Sequence, residues 1–328
     1  MRPGPKRFIK ARFDCFFRAY SSYKQQSRSP ADVIFLTGAP RSGTTWLYEL
    51  FSALLNTSFG IWEPLNPNKY RMLRHYEEPL RPYLKPGTQS IKDAIFFSNL
   101  LKGKLHQAST MEKFDLRKFF YGQQHNQPLI IKSVRGNRIL PWLAEYFHLK
   151  YGFLLLRHPC AVISSQLEHG SWEYVKPTDS LKHPKIVRAL LDDLPQVKEL
   201  LNRRMTPEEK LAVTWGFDYY IPLKYRNNYY NILIYENLVV HNPEAINAML
   251  NSLGISYEPR KLSKLLTKKS STTKEVEAIT QNDSLSKWKT RLSEEQVHRI
   301  LTVARHFGLD FYSESAYPDM NQFERFKF

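Results

Sequence analysis

The chain has 328 residues, 42% of them hydrophobic and 24% charged, enough to bury a substantial core in one large α/β domain or in two domains. Cys15 and Cys160, its only cysteines, exclude a disulfide framework and a cysteine-rich zinc site and fit a reducing compartment, and no run of 18 apolar residues offers a transmembrane helix. The formal charge of +17 points to acidic partners (a polyanionic cofactor, anionic substrates, nucleic acid or a membrane surface), with a solubilising basic surface as the plain alternative.

Residues 1–30 carry eight Lys or Arg against Asp14 alone, interleaved with Phe8, Ile9, Phe13, Phe16, Phe17 and Tyr20. Such a segment either packs its aromatic face on its own domain or lies peripherally on an anionic membrane. It lacks the apolar core of a signal peptide, so the expected location is cytoplasmic. Ser27 to Pro30 break it before an apolar run, Val33-Ile34-Phe35-Leu36-Thr37. Next comes Gly38-Ala39-Pro40-Arg41-Ser42-Gly43-Thr44-Thr45-Trp46-Leu47, then Leu50, Phe51, Leu54 and Leu55 at one-helix-face spacing. Strand, glycine-bounded turn and helix N-terminus together make a phosphate cradle, in which backbone amides and the helix dipole attract an anion. The spacing is that of a nucleotide P-loop, but Thr44 follows Gly43 where that motif needs lysine. Arg41 supplies a cation instead, beside the hydroxyls of Ser42, Thr44 and Thr45.

The run Pro-Arg-Ser-Gly-Thr-Thr-Trp-Leu resembles the 5′-phosphosulfate loop of sulfotransferases that use 3′-phosphoadenosine 5′-phosphosulfate (PAPS). Cytosolic members usually carry lysine where Arg41 stands; many carbohydrate, tyrosylprotein and bacterial members carry arginine. The resemblance implies that Gly38, Arg41, Ser42, Gly43, Thr44 and Thr45 hold the phosphosulfate. Trp46, matching an adenine-stacking residue of cytosolic members, is open to that role or to core packing.

After a turn over 56–60, Gly60-Ile61-Trp62-Glu63-Pro64 reads as a short extended segment, with Pro64 biasing Glu63 away from helix. In carbohydrate and tyrosylprotein sulfotransferases a glutamate at the matching place is the usual catalytic base, so the resemblance makes Glu63 the candidate base. Its plain alternative is a solvated glutamate at a strand end. Residues 66–127, rich in Tyr, Arg, Lys, His and Pro, with helix periodicity around Ser90 to Leu105, are expected to cover the acceptor site. Leu129-Ile130-Ile131-Lys132 is a buried-strand pattern ending in a cation, with Ser133 and Arg135 beyond and Asn137 as a candidate helix cap. Cytosolic sulfotransferases end this strand in Lys-Thr-His. Here Lys132 is kept and Val134 replaces the histidine, which moves the proton-removing role towards Glu63.

A second constellation is the strand Gly152-Phe153-Leu154-Leu155-Leu156 ending in Arg157, with Pro159 suited to a first helical turn and Ser165 eight residues after Arg157. Arginine and serine at that spacing resemble the family's 3′-phosphate site. Helical patterns come next over 184–204 and 207–226, expected to be scaffold, and include Leu211, Trp215 and Tyr219. The stretch 231–238 reads as a strand ending Tyr-Glu-Asn-Leu, similar to the family's Tyr-Glu-Asp-Leu, and Tyr235 is either near adenine or core. The polar loop with Ser270 and Ser271 resembles the family's closing loop over the 3′-phosphate, with Trp288 beyond it. A helix from Ser293 to Phe307 opens on a Ser293/Gln296 capping box.

The resemblance thus implies a three-layer α/β fold with a mostly parallel sheet of P-loop nucleotide-kinase-like topology, one sulfotransferase domain over 31–328. PAPS would be the co-substrate and adenosine 3′,5′-bisphosphate the product, with a hydroxyl or amine of a carbohydrate or small molecule as acceptor. Glu63, Arg41 and Lys132 would be catalytic; no metal and no nucleic acid is expected. The dispersed histidines, including His75, His106, His125, His158 and His169, read as structural or surface residues. The rival readings are a P-loop nucleotide kinase and a basic non-catalytic protein that binds nucleic acid or membrane.

Overall fold

The computed structural model describes residues 29–55, 60–76, 80–105, 128–170, 190–240, 242–252 and 285–325, with positions 254, 257, 262 and 265. The sequence readings over residues 1–28, 56–59, 77–79, 106–127, 184–189 and 266–284, Ser270 and Ser271 among them, lie outside the described residues. Five strands carry the fold: β1 (Ile34–Gly38), β2 (Gly60–Trp62), β3 (Ile130–Ser133), β4 (Tyr151–Leu156) and β5 (Tyr230–Ile234). They pair in the order β2-β3-β1-β4-β5, every pairing parallel. With helices on both faces, this is the three-layer α/β architecture expected from the sequence. The strand that feeds the glycine loop is the central one.

Parallel strands covered on both faces are apolar at most positions, and their alternate side chains enter different cores. On one face Val33, Phe35, Ile131, Leu154 and Leu156 join the helices Leu140–Phe147, Pro159–His169, Pro207–Lys224 and Glu294–His306. On the other, Ile34, Leu36, Ile130, Phe153 and Leu155 meet Leu47, Leu50, Phe51 and Leu54 of the Thr44–Leu54 helix and Ile246 and Leu250 of Asn242–Ser252. Packing from both sides fixes the carboxyl ends of the strands, where ligands gather in open α/β sheets.

Helix starts obey local chemistry. Ser293 and Gln296 form the expected capping box, Thr206 and Glu209 form a second, and Pro159 occupies the first turn of its helix. Three expectations are corrected. The strand over 231–238 stops at Ile234, and Tyr235–Val240 is helical, which turns Glu236 onto buried donors. Of the helix expected over 184–204, the segment Pro195–Leu201 is a separate helix, because Pro195 lacks an N–H and Leu194 is held off-helix at φ −130°. Asn137 caps no helix: the next begins at Leu140, and the Asn137 amide instead meets the Thr37 hydroxyl at 2.5 Å.

Gly216 sits in the middle of the Pro207–Lys224 helix, and a Cβ there would fall 2.3 Å from the ring of the fully buried Phe307. Alanine ordinarily gains about 1 kcal/mol over glycine in a helix, whereas overpacking a core costs about 1–3 kcal/mol. Gly216→Ala is therefore expected to lower the urea midpoint of unfolding; a raised midpoint would show that Phe307 yields without cost.

Candidate functional site

The loop between β1 and its helix is held by side chains from elsewhere in the chain. The Tyr219 hydroxyl donates to Leu155 O at 2.9 Å and accepts from Ala39 N at 3.0 Å, tying the loop to the end of β4. The Gln166 amide donates to Pro40 O at 2.8 Å, Arg157 Nη1 donates to Arg41 O at 3.1 Å, and Ser42 N closes on Ala39 O at 3.0 Å. Loop carbonyls are thereby engaged by the protein. The helix makes its first backbone bond from Leu47 N to Gly43 O, and amides ahead of that point have no acceptor within the helix, the arrangement that binds an anion.

The turn needs left-handed backbone at Arg41 (φ 72°) and Gly43 (φ 98°). Glycine takes that conformation without penalty. At Gly43 space decides as well, since a Cβ would lie 2.6 Å from the Tyr235 ring. Ser42 and Thr44 are buried and Thr45 half-buried. Trp46 meets Tyr235 edge-on, ring centres 6.0 Å apart.

Beyond the end of β4, Arg157 lies with its guanidinium 4.3 Å from the centre of the Tyr235 ring. Its Nε is buried with no hydrogen-bond partner among the described residues, an orphan donor that an anion would satisfy. Arg41 Nε donates to Ser165 Oγ at 2.9 Å. The two motifs, separated by more than a hundred residues, thus meet side chain to side chain, with Arg41 belonging to both.

The turn carrying Arg157 is fixed from beneath. Glu236, fully buried, accepts from His158 N and from the Tyr312 hydroxyl, each at 2.9 Å. Burial raises its pKa against the opposing pull of these donors and of Arg157. His158 accepts from Cys160 N through Nδ1, so Nε2 carries the proton towards Ser313 O at 2.9 Å. Burial lowers the imidazole pKa to about 4, and the neutral ring stacks on Trp288 at 4.7 Å.

Glu63 stands at the other end of the same sheet edge, just past β2. Its backbone is left-handed (φ 48°), not extended as the sequence suggested. Glu63 N donates to Lys132 O at 2.8 Å, and its carboxylate takes Lys132 Nζ at 2.7 Å, Arg135 Nη1 at 3.0 Å and Val134 N at 3.1 Å. Burial raises its pKa, but Lys132, Arg135 and the hydrogen bonds outweigh that, so the net shift is downward. Lys132 also lies 4.1 Å from the centre of the Trp62 ring. Deeper, Arg81 and Arg138 share Asp218 at 3.2 and 2.8 Å.

The structure therefore gathers Gly38, Arg41, Ser42, Gly43, Thr44, Thr45, Trp46, Arg157, Ser165 and Tyr235 in one cluster, and sets Glu63 with Lys132 beside it. Sequence reasoning named Tyr219 only as scaffold and Arg135 only by position, and missed Gln166, Glu236 and the Arg81–Asp218–Arg138 group. Two of them left a trace: Asp218 and Glu236 are acids inside otherwise apolar stretches. Among the described residues, no three or more His, Cys, Asp or Glu cluster as metal ligands, and no helix is long and apolar enough to cross a membrane.

No family model and no curated protein matches the chain. Among solved structures it is similar to the sulfotransferase domain from the curacin biosynthetic pathway, with 17% identity and a TM-score of 0.42 over 82% of this chain and 96% of that one. It is similar also to the sulfotransferase domain from the Synechococcus PCC 7002 olefin synthase, with 15% identity and a TM-score of 0.41 over 86% of this chain and 94% of that one.

Proposed function

We propose that this chain transfers a sulfuryl group from PAPS to a hydroxyl or amine of a carbohydrate or small-molecule acceptor. The observation that carries the reading is the junction of two anion sites. A loop with backbone amides and Arg41 is linked to the Arg157–Ser165 pair at 3.1 and 2.9 Å, and a carboxylate paired with a lysine stands alongside. A donor with a phosphosulfate at one end and a 3′-phosphate at the other needs cations at two connected points. The orphan Nε of Arg157 fits the second.

In this mechanism Arg157 and Ser165 hold the 3′-phosphate, and Tyr235 and Trp46 flank the adenine. The loop from Gly38 to Thr45 holds the phosphosulfate, and Ser270 and Ser271 complete the cover over the 3′-phosphate. Glu63 accepts the acceptor's proton as its oxygen or nitrogen bonds to sulfur. The bond from sulfur to the bridging oxygen breaks, and the charge left on that oxygen is neutralised by Lys132, the loop amides and Arg41. By analogy with phosphoryl transfer, the gain comes from positioning and charge stabilisation. The expected site of action is the cytoplasm, with residues 1–30 available for peripheral membrane contact and no nucleic-acid partner.

Calorimetric titration with adenosine 3′,5′-bisphosphate and, separately, magnesium ATP tests the reading. The bisphosphate is expected to bind far more tightly, and Arg41→Ala and Arg157→Ala each to weaken it about tenfold or more, the scale of a lost charge-assisted hydrogen bond. Preference for magnesium ATP would replace the reading by a kinase.

Glu63→Gln is expected to lower kcat by about 10²–10⁴ with bisphosphate affinity unchanged. Because the Glu63 pKa lies below its ordinary 4.5, the base stays ionised from neutral pH down to that value. Its contribution to stability likewise holds above 4.5 and is lost as pH falls through the lowered pKa. An acid limb of kcat centred well above 4.5 would take the base role from Glu63.

A further inference from the structure

One helix joins the two anion turns. β1 and β4 pair in parallel as far as Gly38 and Leu155, and both turns begin just beyond that rung. There the Tyr219 hydroxyl stands between the next donor on the β1 side, Ala39 N, and the carbonyl of Leu155, so the joint passes through a side-chain oxygen. Trp215, one turn earlier on the same face of the Pro207–Lys224 helix, donates from Nε1 to Arg157 O at 3.2 Å. A single helix face thereby holds the start of the glycine loop and the turn that carries Arg157. Both side chains are at most 2% exposed, and their rings lie 4.9 Å apart. The helix has little room to shift, since Gly216 is packed directly on the Phe307 ring and Asp218 is held by Arg81 and Arg138.

The internal shape of the loop has other supports: Gln166, Arg157 and the bond from Ser42 N to Ala39 O. What Tyr219 and Trp215 add is a fixed distance from the loop to the Arg157 turn. That distance matters only to a ligand that engages both. A ligand with two anions gains over its separate halves because the second anion binds as part of a molecule already in place, and the gain is lost when the span of the ligand and of the sites do not match. A span fixed in advance also spares the cost of ordering it on binding.

We infer that Tyr219 and Trp215 are positioning residues that set the span between the two anion sites, and that through this span the chain selects a nucleotide by the separation of its phosphates, taking a 3′,5′-bisphosphate over its 2′,5′ isomer. The inference rests on the sulfotransferase reading above. It assigns the choice of isomer to two residues outside the proposed phosphate contacts.

The test uses the full chain, titrated calorimetrically with adenosine 3′,5′-bisphosphate, adenosine 2′,5′-bisphosphate, adenosine 3′-monophosphate and adenosine 5′-monophosphate. The unsubstituted chain is expected to prefer the 3′,5′ isomer by about tenfold or more. Tyr219→Phe keeps the ring and removes the bridging oxygen. It should weaken the 3′,5′-bisphosphate about tenfold, cut the preference between isomers to about threefold or less, and leave each monophosphate within about twofold. Trp215→Phe should shift the same readings in the same direction, and it carries the test if Tyr219→Phe does not fold. Tyr230→Phe is the control for lost stability: Tyr230 is buried at the amino end of β5, opposite the anion turns, and its hydroxyl donates to Pro222 O of the same helix. Its melting midpoint should fall while every affinity holds. Equal weakening of the monophosphates and the bisphosphate by Tyr219→Phe, a preference between isomers that survives both substitutions, or no preference in the unsubstituted chain overturns the inference while the sulfotransferase reading stands. Failure of the unsubstituted chain to bind the 3′,5′-bisphosphate removes that reading and this inference with it.

Discussion

The site depends on how the backbone of the β1 loop is restrained. A turn with two left-handed residues, one of them Arg41, does not hold itself open in water. Tyr219, Gln166 and Arg157 hold it by taking its polar groups one at a time, each from a different place in the chain. A buried loop with unmatched carbonyls would lose about 1–3 kcal/mol for each. Their engagement fixes the direction of the remaining amides, so the anion site is a by-product of satisfying the loop.

Charge is balanced differently at the two ends of the sheet edge. At the β4–β5 end, neutral groups and one buried acid support the arginine: His158 is kept uncharged, Glu236 is occupied by two donors, and Tyr235 offers its ring face. That end can take a strongly charged anion without first breaking an ion pair with a carboxylate. At the β2–β3 end Lys132, Arg135, Arg81 and Arg138 are each paired with a carboxylate, so a ligand must join or displace an existing pair. A rigid anchor at one end and an exchangeable network at the other suit a reaction in which one substrate is held still while protons and charge move at its far end.

The parts of this design that are local in sequence were legible from it. The loop glycines, the apolar strands, Arg157 at a strand end and the capping boxes are set by neighbours within a few residues. The illegible parts come from distance: Tyr219 reaches a loop 180 residues away, and Arg138 meets an acid 80 residues on. Tyr235 to Leu238 read as the end of the strand over 231–238, yet they begin a helix in which Glu236 accepts from His158 N and the Tyr312 hydroxyl, partners far away in the chain. Lys69 meets the Trp62 carbonyl only because the chain folds back after β2. Periodicity reports which face is apolar; it carries no information about which buried polar groups will find each other.

The central place of β1 also has a kinetic consequence. β1 pairs on one side with β3 and on the other with β4, matching Ile34 with Ile130 and with Tyr151, so neither edge can be closed by residues near it in the chain. Contacts between distant segments form slowly, because a long loop must be closed before any of them is rewarded. During synthesis from the N-terminus, β1 waits with both edges open until β3 has emerged and with one open until β4 follows, and the loop waits longer, for Tyr219 and then Tyr235. In that interval the nascent chain exposes an apolar strand with unpaired amides, the kind of segment that aggregates unless it is shielded. The residue order that makes a tightly held anion site therefore lengthens the interval in which the edges of β1 stand open.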